Sequence, residues 1–590
     1  MTRSPIALAA ALAAALAAVL AAVLALTACK RDQPAPAPAP PQAPAAPAAS
    51  TYTFDPALRS EDFAELVQTL SSDAFEGRAP GSAGEEKTVE YIKAQFERIG
   101  LQPGNNGSFF QVVPMTETTA DETTALKIAA ATPYELKFGS DMVIGTRSGK
   151  TNVKLDGSDM VFVGYGVNAP ELNWNDYAGI DVKGKTVVML VNDPGFHAND
   201  GKLFEGKRMT YYGRWTYKFE EAARQGAAAA LIIHDDAGAS YGWDVVKNSW
   251  SGAQFDLRVA DDPARRLPAQ GWITTDAAKK LFVDAGLDLA AQYKAANKSG
   301  FKPVPLNAKL SVDLNSTIDE KQSRNVVGVL PGAKRADETV LYMAHWDHLG
   351  KHDDEINPDG SGDNIYNGAV DNATGVAGII EIAGAFAAQN PKPDRSVVFL
   401  AVTLEESGLL GSKYYVAHPT VPLNRIAGVI NTDAMSVSGK TRDITVVGFG
   451  NSELEDLLKP IAEQQQRTLH AETNTAAGYY FRSDHFNFAK AGVPALYVDG
   501  GDDFVDGGKA AGEAAAKDYT ENRYHKPGDQ YDAATWKLDG VLDDLNAVYG
   551  VGRELASSAQ WPNWYEGNAF RAARDASMTA PLATDTSTKP

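Results

Sequence analysis

The sequence predicts an α/β fold, a mixed β-sheet layered by helices and interrupted by a β-rich insertion, and three observations carry that expectation. Between about 313 and 556, short apolar runs alternate with helical segments, the pattern of a sheet covered by helices. Between about 131 and 312 the texture changes to short strands separated by Gly-rich turns. A chain of 590 residues is also too long for one ordinary domain, so two or three folded units are expected.

Composition narrows the function classes. Hydrophobic residues make up 44% and charged residues 22%, enough apolar material for a sizeable core. The net charge of -20, from 75 acids against 55 bases, argues against a nucleic-acid partner, because phosphate neutralisation needs clustered Lys and Arg. Its simplest consequence is solubility. Cys29 is the single cysteine, which leaves no intramolecular disulfide and no Cys-based metal site.

From the amino end, Arg3 is followed by an Ala/Leu/Val run from Ile6 to Leu26 and then by Leu26-Thr27-Ala28-Cys29. A basic start, an apolar stretch and small residues describe a secretory signal over 1–28. The Leu-x-Ala-Cys ending resembles the bacterial lipobox, which implies that Cys29 becomes a lipidated first residue tethering the chain to a membrane. The apolar run is long enough for an uncleaved anchor as the competing reading. Both readings export the chain, to the periplasm or the outer surface. Residues 31–50 contain seven prolines, so 29–50 is expected to be an extended linker reaching up to roughly 60 Å at ~3.1 Å per residue.

Within 51–130, Val89, Ile92, Phe96 and Ile99 recur at helical spacing and Gly100 supplies a stop, which predicts an amphipathic helix. In the insertion, 160–166, 185–191 and 229–233 read as strands and 218–225 as a helix. The tail 576–590 is Ala/Thr/Ser/Pro-rich and is expected to be disordered.

The chemistry lies where apolar runs stop. Val340–Ala344 ends in His345-Trp346-Asp347-His348, Ser396–Leu404 in Glu405-Glu406, and Ile426–Ile430 in Asn431-Thr432-Asp433. Open α/β sheets bind ligands beyond the carboxyl ends of their strands, so three strands deliver an imidazole and carboxylates to one edge. Two segments extend the set: a turn, Gly368–Gly375, carrying Asp371 into a helix over 376–388, and a loop, Tyr524–Asp529, carrying His525 and held out of helix by Pro527. A lone His-x-Asp is incidental and Glu-Glu at a strand end is usually solvated; convergence is what carries weight. Imidazole and carboxylate donors without cysteine suit catalytic zinc, and converging carboxylates repel one another unless cations neutralise them. His348 and the cluster Ser483-Asp484-His485 read as structural hydrogen-bonding groups. His197, His234, His352, His418 and His470 read as ordinary loop or helix residues.

The ordered series His345, Asp347, Asp371, Glu405, Glu406, Asp433, His525 resembles that of the M28 (aminopeptidase Y-like) metallopeptidases at every position. The flanking texts Asp371–Gly375, Glu405–Ser412 and Tyr524–Pro527 agree, as does the earlier Leu70–Arg78 with Gly81-Ser82-Ala83-Gly84. Met435 stands one residue further from Asp433 than in the commonest family text. The likeness runs from roughly 51 to 575, and 131–312 resembles the PA domain that some members carry inside it. The resemblance implies a zinc-peptidase core (phosphorylase/hydrolase-like) built from 51–130 and 313–575 and binding two Zn2+ ions. His345 and Asp433 would hold one ion, Glu406 and His525 the other, and Asp371 both, with a cis peptide between Asp371 and Asn372. Glu405 would be the general base, and Asp347 would buttress His345 from behind.

The implied function is a dizinc aminopeptidase that removes amino-terminal residues from peptides through a water shared by the two ions and activated by Glu405. Three alternatives share the fold. A carboxypeptidase or dipeptidase needs basic residues to grip a carboxylate; Arg482 and Arg523 are the nearest candidates, Arg425 is expected at the far end of its strand, and Lys413 and Lys526 are expected to face solvent. A glutaminyl cyclase would work at one zinc. A non-catalytic binding protein would have lost its ligands, which the intact series opposes.

Overall fold

The structure, a computed structural model, describes residues 57–198, 200–352 and 362–579. The expected signal segment, Cys29, the linker and residues 580–590 lie outside the described residues. Among the described residues no helix is long and apolar enough to cross a membrane.

The core sheet is mixed and its centre is parallel. The strand Arg335–His345 pairs in parallel with both Arg395–Val402 and Ile426–Asn431, and the latter pairs in parallel with Ala495–Gly500. Antiparallel to Arg395–Val402 lies Val304–Leu330, which in turn pairs antiparallel with Phe110–Ala120. Every residue of 395–402 and of 426–431 is buried. Alternate side chains serve two different cores: Tyr342, Phe399 and Ile430 on one face, and Met343, Leu400 and Val429 on the other. Burial on both faces is why these strands read as unbroken apolar runs.

Helices Ala83–Ile99, Thr374–Ala388 and Leu538–Ser557 cover the first face, while Leu410–Ala417 and His485–Lys490 cover the second. The first begins where Ser82 Oγ accepts from the amides of Gly84 (3.1 Å) and Glu85 (3.3 Å), and it stops at Gly100 in the left-handed region (φ 89°).

The segment expected to be an insertion has hydrophobic clusters of its own. Asn152–Phe162, Thr186–Leu190, Ala229–Ile233 and Ala269–Ile273 run parallel in succession, with helix Trp215–Arg224 between the second and third and helix Thr275–Asp284 after the last. The region is not set off as a separate body, since the described residues belong to one compact unit. The expected boundary at 312/313 falls inside the unbroken strand Val304–Leu330. Its first half pairs with 152–162 and its second half with 110–120, and no Gly or Pro between 306 and 327 supplies a break. At the other end, the helix Arg571–Thr579 covers the first residues of the tail expected to be disordered.

Candidate metal centre

Four parallel strands aim their carboxyl ends at one edge, and that edge holds the acids and imidazoles. His345 closes its strand, Glu405 and Glu406 follow Val402, and Asp433 follows Asn431. Asp371 arrives on the turn before helix Thr374–Ala388, and the Asp371–Asn372 peptide is cis. The Asn372 side chain pins that turn: its Oδ1 accepts from the amides of Gly375 (2.9 Å) and Ala434 (3.1 Å), and its Nδ2 donates to Thr432 O (3.1 Å). A Cβ on Gly375 would lie 2.2 Å from Asn372 Oδ1 and 2.4 Å from Thr432 O, so only glycine fits there. Leu404 (φ 58°), Ala434 (φ 48°) and His525 (φ 54°) occupy the left-handed region, at a cost of about 1–3 kcal/mol each, and each is a member of the series or its neighbour.

Two donor clusters result. His345, Asp371 and Asp433 offer atoms within 4.8 Å of one another: His345 Nε2 lies 3.2 Å from Asp371 Oδ1 and 3.2 Å from Asp433 Oδ1. His525 Nε2 lies 3.3 Å from Asp371 Oδ2 and 3.1 Å from Glu406 Oε2. Asp371 therefore faces both sides with different oxygens. The other nitrogen of His345, Nδ1, is 3.0 Å from Asp347 O, and Asp347 Oδ1 accepts from the Glu405 amide at 3.2 Å.

The charges are those of a cation site. Burial pushes the Asp347 carboxyl up to about 8 against the pull of His345. Burial also drives Glu405 well above the usual range, with Glu406 and Asp433 adding to it against His345. Burial opposes the charged forms of both imidazoles, yet Asp433 and Glu405 hold His345 well above its ordinary value, and Glu406 and Asp371 raise His525 to about 10. Asp347 and Glu405 thus hold protons, and Asp371 and Glu406 lean on protonated imidazoles, where divalent cations would neutralise them. Asp347 Oδ2 and His348 Nε2 are buried without a partner. Two adjacent clusters suited to two zinc ions are present, one of His345, Asp371 and Asp433 and one of His348, Asp371 and Glu406.

Several residues that hold this arrangement have no spacing signal. Fully buried Arg78 donates to Trp346 O (2.9 Å), Asn367 O (2.5 Å), Gly368 O (2.8 Å) and Asp371 O (3.4 Å), tying the 335–345 strand end to the Asp371 turn. Asp529, on the loop of His525, accepts from the amides of Val370 (3.0 Å) and Asp371 (3.0 Å). His348, read from sequence as structural, lies with Nδ1 2.7 Å from Glu406 Oε1 and forms a cluster with Asp371 and Glu406. Ser483 donates to Asp433 Oδ2 at 2.5 Å and Ser412 donates to Asp484 at 2.5 Å, as structural groups would. His485 is packed on Tyr480 and Tyr497, and burial lowers it to about 3 against a backbone hydrogen bond at Tyr480.

The remaining histidines bond away from the centre, His197 to Asp235, His234 to Tyr241 O, His352 to Leu349 O, His418 to Asp261 O and His470 to Asp443. Arg425 pairs with Asp337 at the opposite strand end (3.5 Å), Arg523 with Asp518 (2.7 Å), and Lys526 donates to Glu521 O. Lys413, expected in solvent, instead pairs at 2.6 Å with buried Asp262 of the inserted region.

Residues 325–549 match the model of peptidase family M28. Among curated proteins, the chain is 28% identical over 198 residues to a glutamate carboxypeptidase 2 homolog of Caenorhabditis briggsae, covering 33% of this chain and 23% of that one. It is 28% identical over 277 residues to leucine aminopeptidase 2 of Arthroderma otae, covering 44% and 50%. The chain thus spans about a quarter to a half of the length of these relatives. A solved aminopeptidase from Aneurinibacillus sp. strain AM-1 superposes with a TM-score of 0.45 at 22% identity, over 85% of this chain and 94% of that one. The segment 325–549, which holds His345 through His525, is thus similar to peptidase family M28 and contains the two adjacent donor clusters.

Proposed function

We propose that this chain is an exported dizinc aminopeptidase acting on peptides. The observation that carries the reading is Asp371, whose two carboxylate oxygens face His345 on one side and His525 on the other. His345 and Asp433 would hold one zinc, Glu406 and His525 the other, and Asp371 both. Bound zinc supplies Lewis acidity, polarising a carbonyl and making water more acidic. Glu405 accepts the proton of the attacking water and returns it to the leaving amine, a role its raised affinity for protons suits. Asp347 orients the His345 ring, and Asp529 and Arg78 hold the Asp371 turn in place.

The amino-terminal direction rests on charge. A free α-amine suits an edge that carries the part-exposed carboxylates of Glu405 and Glu406, and relatives named for both kinds of peptidase leave the choice to chemistry. The parallel strands around helix Trp215–Arg224 support the reading of the inserted region as PA-like. Export and tethering through Cys29 rest on the sequence of 1–29. Aminoacyl reporters and unblocked short peptides are expected to be hydrolysed in a chelator-sensitive way, with cleavage lost on acetylating the amino end. Efficient trimming of amino-blocked peptides from their carboxyl end would overturn the direction.

A further inference from the structure

Glu406 stands between two imidazoles, one for each of its oxygens, and the two contacts are of different kinds. Its Oε2 lies 3.1 Å from His525 Nε2, and its Oε1 lies 2.7 Å from His348 Nδ1. Two donors that share one tetrahedral zinc, each at ~2.0–2.1 Å, are held roughly 3.3 Å apart. The other imidazole–carboxylate distances of the centre fit that spacing. His345 Nε2 is 3.2 Å from Asp371 Oδ1 and 3.2 Å from Asp433 Oδ1, and His525 Nε2 is 3.3 Å from Asp371 Oδ2. Among these contacts only that of His348 is shorter, at the length of a hydrogen bond to a carboxylate. His348 is bonded to Glu406 itself, where the other rings stand off by the width of an ion.

The His348 ring is fixed in that bond. The residue is 1% exposed, and its Nε2 has no partner, so the contact with Glu406 is the one hydrogen bond of its side chain among the described residues. Its amide donates at 3.3 Å to the carbonyl of Arg78, the arginine that also grips the Asp371 turn. Gly368 lies against the ring: a Cβ there would sit 2.6 Å from both Cγ and Cδ2 of His348. His525, by contrast, meets Glu406 from a loop, with a side chain 35% exposed. A carboxylate only accepts, so His348 Nδ1 donates and Glu406 Oε1 is occupied.

We infer that His348 is a positioning residue for the second ion: it holds Glu406 Oε1 and turns Oε2 alone toward the His525 side, so that Glu406 serves the ion with one oxygen. The ring nitrogens of His348 then stay off the ion, although His348, Asp371 and Glu406 offer atoms within 4.8 Å of one another. The inference rests on the proposed two-zinc peptidase reading and gives His348 a part in it. A carboxylate free at both oxygens can close on an ion with both, whereas a catalytic zinc needs a position left open for water or substrate. Groups bonded behind a metal ligand set its orientation and its affinity. Asp347 meets His345 in this way through a backbone oxygen, and His348 meets Glu406 through its side chain.

The first test is a crystal structure of the zinc-loaded full chain. His348 Nδ1 is expected to stay within hydrogen-bond distance of Glu406 Oε1, with Oε2 on the ion. A His348 nitrogen on zinc, or both Glu406 oxygens on zinc, overturns the inference. One bound ion in place of two removes the two-zinc reading beneath it, whereas two ions with His348 on one of them remove the inference and leave that reading. The second test is zinc affinity, read by competition with a chromogenic chelator. His348→Asn places an amide donor close to where Nδ1 stands, and His348→Gln reaches past it. The Gln variant should bind the second equivalent of zinc about 10–100-fold more weakly and the first unchanged, and the Asn variant should recover most of that loss. A side chain that only filled space would show no preference for the shorter amide. Equal zinc binding by the Gln variant and the wild type, or an Asn variant no better than Gln, overturns the inference. A thermal melt of zinc-free protein shows whether each variant folds, and where one does not, the zinc-loaded wild-type structure decides.

Discussion

The two halves of the metal centre are built differently. In the half around His345, the donors sit on or just past buried strands and the Asp371 turn, and each is fixed from behind. The His345 ring is set by Asp347 O at 3.0 Å, and Asp433 is set by Ser483 at 2.5 Å. In the other half, His525 rides a loop in a left-handed conformation, its side chain 35% exposed and stacked at 4.0 Å on exposed Tyr524. That loop is tied to the centre through Asp529, which grips the amides of Val370 and Asp371. Strand ends give one half a preorganised site; the other depends on a loop held by a carboxylate. Metal should therefore leave the His525 half first.

The largest effect is expected where the halves meet. Asp371→Asn removes the charge both share and should weaken zinc at both positions by more than about 10²-fold, beyond the 10–100-fold typical of supporting residues. Competition with a chromogenic chelator would read this; loss from one half only would show that Asp371 serves one ion. Next, Glu405→Gln should keep both metals and lose on the order of 10²–10⁴ in turnover, while Glu406→Gln should lose metal from the His525 half. Near-normal rates in both variants would show that the pair is misassigned.

A smaller effect, about 10–100-fold in metal affinity, is expected for Asp529→Asn, and it should fall mainly on the His525 half. Equal weakening of both halves would remove the asymmetry. The smallest effect is in pH. Without zinc, His345 is held above its ordinary value and His525 at about 10. A raised imidazole stabilises the metal-free fold fully below its unfolded value of about 6.5, and that stability is lost as pH rises through the folded value. Zinc needs both rings neutral, so binding releases protons and competes less with them as pH rises. The gap in melting temperature between loaded and stripped protein should widen from pH 6 to pH 9, and a constant gap would contradict the pairing.

Much of this centre was legible because of burial. Strands covered on both faces become continuous apolar runs, so Ala344, Val402 and Ile430 announce where polar side chains must emerge. Arg78 and Asp529 left no such mark, because they act on backbone atoms of residues far away in the chain. His348 was hidden by its neighbour: in His345-Trp346-Asp347-His348 nothing tells which imidazole turns inward, and both do. The inserted region was read as short strands, but its parallel pairing depends on partners 40 or more residues apart, as between 186–190, 229–233 and 269–273. Its junction with the core was invisible for a plainer reason. One strand serves both sheets, and its sequence changes partner without a turn residue.

The most direct test is titration of zinc into stripped protein with metal content and hydrolysis of an aminoacyl reporter followed together. Activity should require metal and saturate at two equivalents, the second bound more weakly than the first. Full activity with saturation at one equivalent would contradict the two-ion centre.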